Sequence, residues 1–410
     1  MTITRRHFVH TLLASGAATA IAAPRALAWQ RRAFKPRSIL ILGGTGFLGP
    51  ATIDAAIARG HKVTIFNRGR TEKYRPIKHA DIEHLYGNRD PDKHAQEDDT
   101  TSPKGLEQLE GKKFDVVIDN SGYYPRIVKA SAEWAAKSAG MYIFISSISA
   151  YAGSATPNSD ETAPVGTMED PTIENMGPSF EYYGPLKALC EKASEAAMPG
   201  KAAIVRPGYI VGPGDPTDRF TYWPVRANQG GEMIAPGTPD DPIQVIDVRD
   251  LAEFLITLAE NNTAGVFNAV GPETPARWGD VLNACVAAAA SKPTLTWIDS
   301  EFLQANGLPG GSLPIWIPPV GEYAGFHTWS NARAKAAGLK FRSMETIVKD
   351  TLAWWPTEVE RRTKATASII EEAKTAGKDA PTLPDPSKLK VGISPEQEQK
   401  LLALWHDSRK

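Results

Sequence analysis

A doubly wound α/β fold is predicted for this chain: a parallel sheet with helices on both faces, and a smaller C-terminal α+β substrate region. Three observations predict it. Short apolar runs alternate with helical segments over residues 38–270. The first run leads into glycines spaced G-x-x-G-x-x-G, at Gly43, Gly46 and Gly49. The composition then changes, with Pro, Gly, Asp and aromatic residues gathering over 208–242 and eight of the ten tryptophans at or after Trp223. Strands separated by helices require right-handed crossovers, which cover both faces of a parallel sheet.

Residues 1–28 stand apart. Thr4-Arg5-Arg6-His7-Phe8 opens a twin-arginine pattern, an alanine-rich stretch follows over 11–23, and Ala26-Leu27-Ala28 reads as a small-residue cleavage site. The stretch is too short and too weakly apolar for a stable membrane span. A disordered tail is the plain alternative. The pattern resembles a twin-arginine signal peptide, which implies the export machinery as a partner. The mature chain is then expected to start at Trp29, periplasmic or secreted.

Ser38-Ile39-Leu40-Ile41-Leu42 is the first strand, and 50–59 reads as the helix after it. The glycines between them let the backbone turn tightly and come close to a pyrophosphate. They also aim the free N–H groups of a helix N-terminus at its charge. This is a Rossmann-type arrangement. Gly60 reads as a helix-ending glycine, 62–66 as the second strand and 82–86 as the third. A polar loop over 88–102 precedes the fourth strand, 114–119, and a helix over 127–139. The fifth and sixth strands fall at 141–145 and 202–205, a helix at 250–259 and a further strand at 265–270. The predicted organisation is therefore an NAD(P)-binding Rossmann domain over 36–270, with a substrate-loop insertion at about 208–242. A C-terminal substrate-binding region follows over 271–355, then a helical tail over 356–410. The last helix starts at Ser394-Pro395-Glu396-Gln397, an N-cap with proline at N1 and a capping-box partner, and Leu401, Leu404 and Trp405 form its expected buried stripe.

Composition narrows the functional classes. Hydrophobic residues at 42% and charged residues at 23% are ordinary for a globular enzyme. A formal net charge of -1 provides no global field to recruit nucleic acid. The two cysteines, Cys190 and Cys285, fit no metal spacing and read as buried apolar fillers, and no metal is expected.

Tyr183-Gly184-Pro185-Leu186-Lys187 is the second chemical signal. Four residues of helix put Lys187 on the face of Tyr183, one turn on. An ammonium near a phenol lowers its pKa and makes it a usable acid or base. Pro185 fits only if the helix begins here. Taken alone, this is equally a surface lysine after a packed tyrosine. Ser146-Ser147-Ile148-Ser149-Ala150-Tyr151 adds a third element. It follows the fifth strand directly, so a hydroxyl there points into the crevice where such sheets bind ligands.

With these residues the chain resembles the short-chain dehydrogenase/reductase superfamily, in its extended, epimerase/dehydratase-like branch, over roughly 38–355. The carriers are the glycine turn, Ser146-Ser147 with Tyr151, Tyr183 with Lys187, Arg206-Pro207-Gly208, and Val245-Ile246-Asp247-Val248-Arg249-Asp250-Leu251-Ala252. The resemblance implies Ser147 as the catalytic hydroxyl, Tyr183 as acid/base, and Lys187 as the group that tunes it and holds the ribose. It implies a cofactor site built from Gly43, Thr45, Gly46, Phe47, Leu48, Gly49, Asn67, Arg68, Asn88, Asn120, Ser121, Gly122, Lys187 and Pro207. A homodimer is compatible with it. The run Gly212-Pro213-Gly214-Asp215-Pro216-Thr217-Asp218-Arg219-Phe220-Thr221-Tyr222-Trp223 resembles a bacterial subgroup, of which some members are similar to chloroplast stem-loop RNA-binding proteins and some are labelled reductases.

After the second strand the chain reads Asn67-Arg68-Gly69-Arg70. That stretch offers no carboxylate to repel a 2′-phosphate and two guanidiniums to pair with it, so NADP(H) is favoured over NAD(H). Arg68 and Arg70 are otherwise solvated loop charges. For the substrate, Arg219, Tyr222, Trp223 and His327 are the candidates, with Trp316, Tyr323 and Trp329 nearby in sequence. Aromatic faces suit sugar C–H faces, though large aromatics also build cores. Arg219 and Arg226 suit a carboxylate or phosphate, and equally a pairing with Asp215 or Asp218. The expected function is an exported NAD(P)-dependent epimerase/dehydratase-like oxidoreductase acting on a sugar or polyol, with a tightly held cofactor and redox-neutral turnover. An NADPH-dependent reductase, or a non-catalytic nucleotide- or RNA-binding protein, is the alternative.

Overall fold

In chain order the elements are β1 (Ser38–Leu42), α1 (Leu48–Ala58), β2 (Lys62–Asn67), β3 (Glu83–Tyr86), β4 (Phe114–Asp119), α2 (Pro125–Ser138), β5 (Ala139–Ile145), α3 (Tyr183–Ala197), β6 (Ala202–Pro207), β7 (Tyr209–Val211), α4 (Tyr222–Gln229), β8 (Glu232–Pro236), β9 (Pro242–Ile243), β10 (Val245–Asp247), α5 (Val248–Asn261), β11 (Gly265–Ala269), β12 (Ala276–Arg277), α6 (Trp278–Ala288), β13 (Thr294–Ile298), α7 (Ser300–Ala305), α8 (Ala332–Ala336), α9 (Met344–Thr375) and α10 (Pro395–Asp407). The computed structural model describes residues 35–120 and 122–410. The twin-arginine stretch and Ser121 lie outside the described residues. Among the described residues, no helix is long and apolar enough to cross a membrane.

Seven strands form one sheet in the order β3-β2-β1-β4-β5-β6-β11, and every neighbouring pair is parallel. Alternation across the pleat explains why β1 is apolar throughout. Ile39 and Ile41 enter the core under α1 and α5, while Leu40 and Leu42 enter the opposite core under α2 and α3. The strand order reverses between β1 and β4, which opens a crevice at their carboxyl ends. Leu42 pairs there with Asp119, so Gly43 and Asn120 leave the sheet side by side.

A second core lies in the C-terminal half. Trp223, Trp278 and Trp316 pack in it with α6, α9 and α10. Two sequence expectations change here. The tail does not begin at Pro356, because α9 runs unbroken through that residue. Proline removes one helical hydrogen bond, but buried Ile347, Val348 and Thr351 before it and buried Glu358 and Arg362 after it hold the helix in line. Residues 36–410 pack as one unit, and the 208–242 insertion supplies Phe220, Tyr222 and Trp223 to the second core. In α10 the Ser394 side chain accepts from Gln397 N, as its cap sequence predicts. Its buried stripe is Leu401, Leu402 and Trp405, whereas Leu404 is exposed.

Candidate active site

The glycine turn is held by its backbone. Gly43 has φ +83°, a left-handed conformation that glycine adopts without strain, and its N–H donates to Phe66 O at 3.0 Å. A Cβ on Gly49 would stand 2.3 Å from Gly44 O, so only glycine lets α1 approach the turn this closely. α1 begins with no side-chain cap and no acidic residue in its first turn. Its leading N–H groups are therefore open to an anion.

Gly43 and Gly46 line two cavities, of about 490 Å³ and about 450 Å³. The larger is also lined by Phe47, Leu48, Gly49, Asn120, Ser147, Tyr183, Lys187, Pro207 and Arg219. The smaller is lined by Thr45, Asn67, Arg68, Arg70 and Asn88. Two cavities joined at a glycine turn suit a ligand with two ends and a pyrophosphate between them. Asn120 gives an independent test of fit. Its amide Nδ2 and Oδ1 are buried with no hydrogen-bond partner among the described residues. A buried amide left this way is costly unless a ligand completes it. The residues present thus fit a dinucleotide. Asn88 differs, since its Oδ1 accepts from Asp90 N and its Nδ2 donates to His94 O, so its side chain shapes the 88–105 loop.

Ser147 caps a short turn over Ile148–Ala150, its Oγ accepting from Ser149 N at 3.1 Å. Tyr183 opens α3, as Pro185 requires. A Cβ on Gly184 would lie 2.1 Å from Ser149 O, so this glycine lets α3 seat against the Ser147 turn. The Ser147 hydroxyl is near enough to the Tyr183 phenol to act on its ionisation, and both residues line the larger cavity. Lys187 lies one turn on and is buried. Its Nζ donates to Ile145 O at 2.5 Å and Gly122 O at 2.8 Å, and sits 4.5 Å from the centre of the Phe144 ring.

Electrostatics corrects one expectation. The Tyr183 pKa is raised, not lowered: burial disfavours the phenolate, while the neighbouring Ser147 hydroxyl and the Arg219 charge oppose that shift. Burial also lowers Lys187 to about 8. The lysine is therefore mainly charged at neutral pH and loses that charge at mildly alkaline pH. Below pH 8 both folded and unfolded chains hold this proton, and the fold carries the full cost of burying the charge. Between about 8 and the ordinary lysine value of 10.5 only the unfolded chain holds it, so this group's contribution to stability rises with pH. Wild type should therefore gain stability relative to Lys187→Met between pH 7 and pH 10, read as the difference in denaturant midpoints. A flat difference would place the lysine pKa elsewhere.

Ser146, the neighbour of Ser147, turns inward. Its Oγ donates to the Glu191 carboxylate, which also pairs with Arg206, Nε donating to Oε1 at 2.9 Å. Tyr151 stacks on Trp329 with ring centres 3.9 Å apart and donates to Asn268 Oδ1 at 2.6 Å.

Three substrate candidates fall away from the cavity. Tyr222 and Trp223 are buried because α4 packs that face into the second core, and Trp223 Nε1 donates to Pro314 O. The two nitrogens of buried His327 are occupied, Nδ1 accepting from Gln244 N and Nε2 donating to Ile315 O. Burial lowers its pKa to about 4, so it is a neutral structural histidine. Arg226 is likewise structural, paired with Glu398 at 2.6 Å. Arg219 does reach the cavity.

Sequence reasoning missed several wall residues. Phe180, Tyr209, Phe326 and Asp215 line the larger cavity, and Arg89, paired with Asp119, lines the smaller. Only Asp215, in the Gly212–Asp215 turn, carried a local signal. Glu97 was also missed. The 88–102 loop brings it 4.0 Å from Arg68 and 3.5 Å from Arg70, so a carboxylate does stand beside the two guanidiniums. Cys190 and Cys285 are free and buried, and among the described residues no group of His, Cys, Asp and Glu is placed to hold a metal ion.

Comparison with known proteins agrees with this geometry. The model of the NAD dependent epimerase/dehydratase family matches residues 39–270. The chain is 24% identical over 289 residues to "Epimerase family protein SDR39U1" of Bos taurus, covering 65% of this chain and 85% of that protein. It is 26% identical over 268 residues to "Chloroplast stem-loop binding protein of 41 kDa b, chloroplastic" of Arabidopsis thaliana, covering 62% of this chain and 63% of that one. Its fold is like that of the Bordetella bronchiseptica enzyme WbmG in complex with NAD and UDP, with TM-score 0.56 and 16% identity over 79% of this chain and 95% of the other. With a family match over more than half its length, and with the parallel sheet and glycine-turn crevice that match demands, the chain belongs to the NAD dependent epimerase/dehydratase family.

Proposed function

We propose that this protein is an NAD(P)-dependent oxidoreductase of epimerase/dehydratase type acting on a carbohydrate-like alcohol. The observation that carries the proposal is the placement of Ser147, Tyr183 and Lys187 on the same cavity wall as the Asn120 amide, which has no partner among the described residues. When bound, the dinucleotide supplies a hydride acceptor and donor. As the phenolate, Tyr183 Oη takes the proton of a substrate hydroxyl as the carbon is oxidised, and the resulting phenol returns that proton on reduction. Ser147 Oγ orients that hydroxyl. The Arg219 charge partly offsets the burial of the phenolate, and Asn120 holds the nucleotide against the β4 end of the crevice.

The cofactor is proposed to be NADP(H), with Arg68 and Arg70 releasing the exposed Glu97 to pair with a 2′-phosphate. An exposed pair this long contributes little and is readily exchanged. Titration of nucleotide-free protein is expected to show tighter binding of NADP than of NAD, and Arg68→Ala to narrow the gap by roughly three- to thirtyfold, as for losing one charge-assisted contact. Equal affinities in the wild type would sink the preference.

The pair Arg5-Arg6 and Ala26-Leu27-Ala28 support export of the folded protein. An exported enzyme has no cytoplasmic supply of NADP, so the cofactor is proposed to be loaded first, held tightly and returned to its starting redox state in each turnover. Free sugars or glycosides are proposed over nucleotide sugars because the latter are cytosolic. Denaturing protein purified from the periplasm should release a nucleotide; absence of any nucleotide would refute the trapped cofactor. The redox state of that nucleotide, followed by a screen of sugars for a spectral change at the nicotinamide, tests the chemistry. The name of the Arabidopsis relative makes RNA binding the competing reading. An electrophoretic shift with RNA at physiological salt would favour it.

A further inference from the structure

The larger cavity carries a side-chain relay that fixes Arg219 on its wall. Asp215 is buried, with φ-positive glycines Gly212 and Gly214 shaping the turn before it. Its Oδ1 accepts from Thr217 N at 2.8 Å and from Thr217 Oγ1 at 2.6 Å. With its proton committed to Asp215, Thr217 Oγ1 is left as an acceptor, and it takes Arg219 Nε at 3.0 Å. The guanidinium lies 5.0 Å from the centre of the Tyr209 ring. One edge of Arg219 is thus tethered and its plane is stacked.

The other edge is free. Among the described residues, no carboxylate comes within ion-pair distance of Arg219, and its terminal nitrogens donate to no protein acceptor. Asp215, its nearby carboxylate, is turned to Thr217 instead. The remaining Oδ2 of Asp215 is buried with no hydrogen-bond partner among the described residues. A guanidinium fixed at Nε presents its two terminal N–H groups as a fork, which matches two oxygens of one anionic group. Tyr183 lies within range of the same charge.

We propose that Arg219, fixed by the Asp215–Thr217 relay and the Tyr209 ring, receives the anionic oxygen pair of the substrate, so that the substrate is a polyhydroxy compound bearing a carboxylate or phosphate rather than a neutral sugar. This inference rests on reading the cavity as the substrate pocket proposed above. Arg219 is a binding residue, and Thr217 and Asp215 are positioning residues.

The test is calorimetric titration of the full chain, with and without saturating NADP⁺, using glucuronate, glucose 6-phosphate and glucose as probes. The wild type is expected to bind at least one anionic probe about tenfold or more tightly than glucose, as for a charge-assisted pair. Preference for glucuronate identifies a carboxylate, and preference for glucose 6-phosphate a phosphate. Arg219→Gln should abolish the preference, and Arg219→Lys should retain only part of it, because a point charge lacks the fork. Thr217→Val should weaken anion binding while leaving glucose binding unchanged, and Thr217→Ser should restore it, which a merely structural threonine would not do. Equal or undetectable binding of the anionic probes, or a preference that survives in Arg219→Gln, overturns the inference. A protein that discriminates the anions through Arg219 but takes neither NADP⁺ nor NAD⁺ would keep the inference and lose the dehydrogenase-type reading.

Discussion

Tyr183→Phe is expected to lose about a hundredfold to ten-thousandfold of turnover, the usual contribution of a positioned general acid–base group. The fold should be untouched. Only Oη is removed, the ring keeps its place at the start of α3, and Gly184 still seats that turn on Ser149. Lys187 keeps its bonds to Gly122 O and Ile145 O. Nucleotide affinity should therefore change little, which separates proton transfer from binding. The check is turnover on a substrate found in the sugar screen, beside a nucleotide titration and a thermal melt. Full retained turnover would remove the phenol from the chemistry. A variant that also loses nucleotide would make Tyr183 a binding residue instead.

Glu191→Ala is expected to cost about 3–5 kcal/mol of stability, the range for removing one partner of a buried ion pair. Arg206 is 4% exposed and its Nη1 already has no partner among the described residues. Removing the carboxylate strips Nε and Nη2 of their acceptor and leaves a guanidinium facing the Tyr151 ring at 4.5 Å. Ser146 Oγ loses its acceptor in the same step. The damage should reach the site, because Ser146 fixes the start of the turn that presents Ser147. A Glu191→Leu/Arg206→Met double variant should recover much of the loss, since replacing both charges avoids an unpaired ion. Denaturant unfolding of both variants reads the effect. A single variant within 1 kcal/mol of wild type would show that solvent or rearranged neighbours can take the place of Glu191.

Together these expectations place two layers beneath one cavity. Ser147, Tyr183 and Lys187 line the cavity. Ser146, Glu191, Arg206, Tyr151 and Asn268 form the buried polar network that sets the first layer in position. The loop with Arg219 is fixed separately. Asp218 has φ +62° and accepts from Arg362 Nη1 of α9 at 2.9 Å, so α9 fixes the loop that carries Arg219 while the sheet fixes the glycine turn.

The parts of the site that were legible in sequence are those built by contiguous residues. The glycine turn, the strand before it, and Tyr183 with Lys187 at helical spacing need only local geometry to be read. Residues whose role depends on what meets them from afar were not legible. Tyr222 and Trp223 look like binding groups until the second core closes over them, and His327 does until burial and its bonds to Gln244 and Ile315 occupy both nitrogens. Pro356 looks like a boundary until buried residues on both sides of it hold α9 straight. Glu97 reaches Arg68 and Arg70 only because the loop after β3 folds back over the crevice.

The sequence alone determined the class of sheet, the glycine turn at its crevice and the helical spacing of Tyr183 and Lys187, because backbone periodicity and glycine sterics act over a few residues. The tertiary structure decided the direction of the Tyr183 pKa shift and which side chains line the cavity. Burial raises the Tyr183 pKa where the lysine spacing pointed the other way, and the Asp215–Thr217 relay frees one edge of Arg219. Desolvation and long-range pairing depend on what surrounds a group in space, and neighbours in the chain do not specify that.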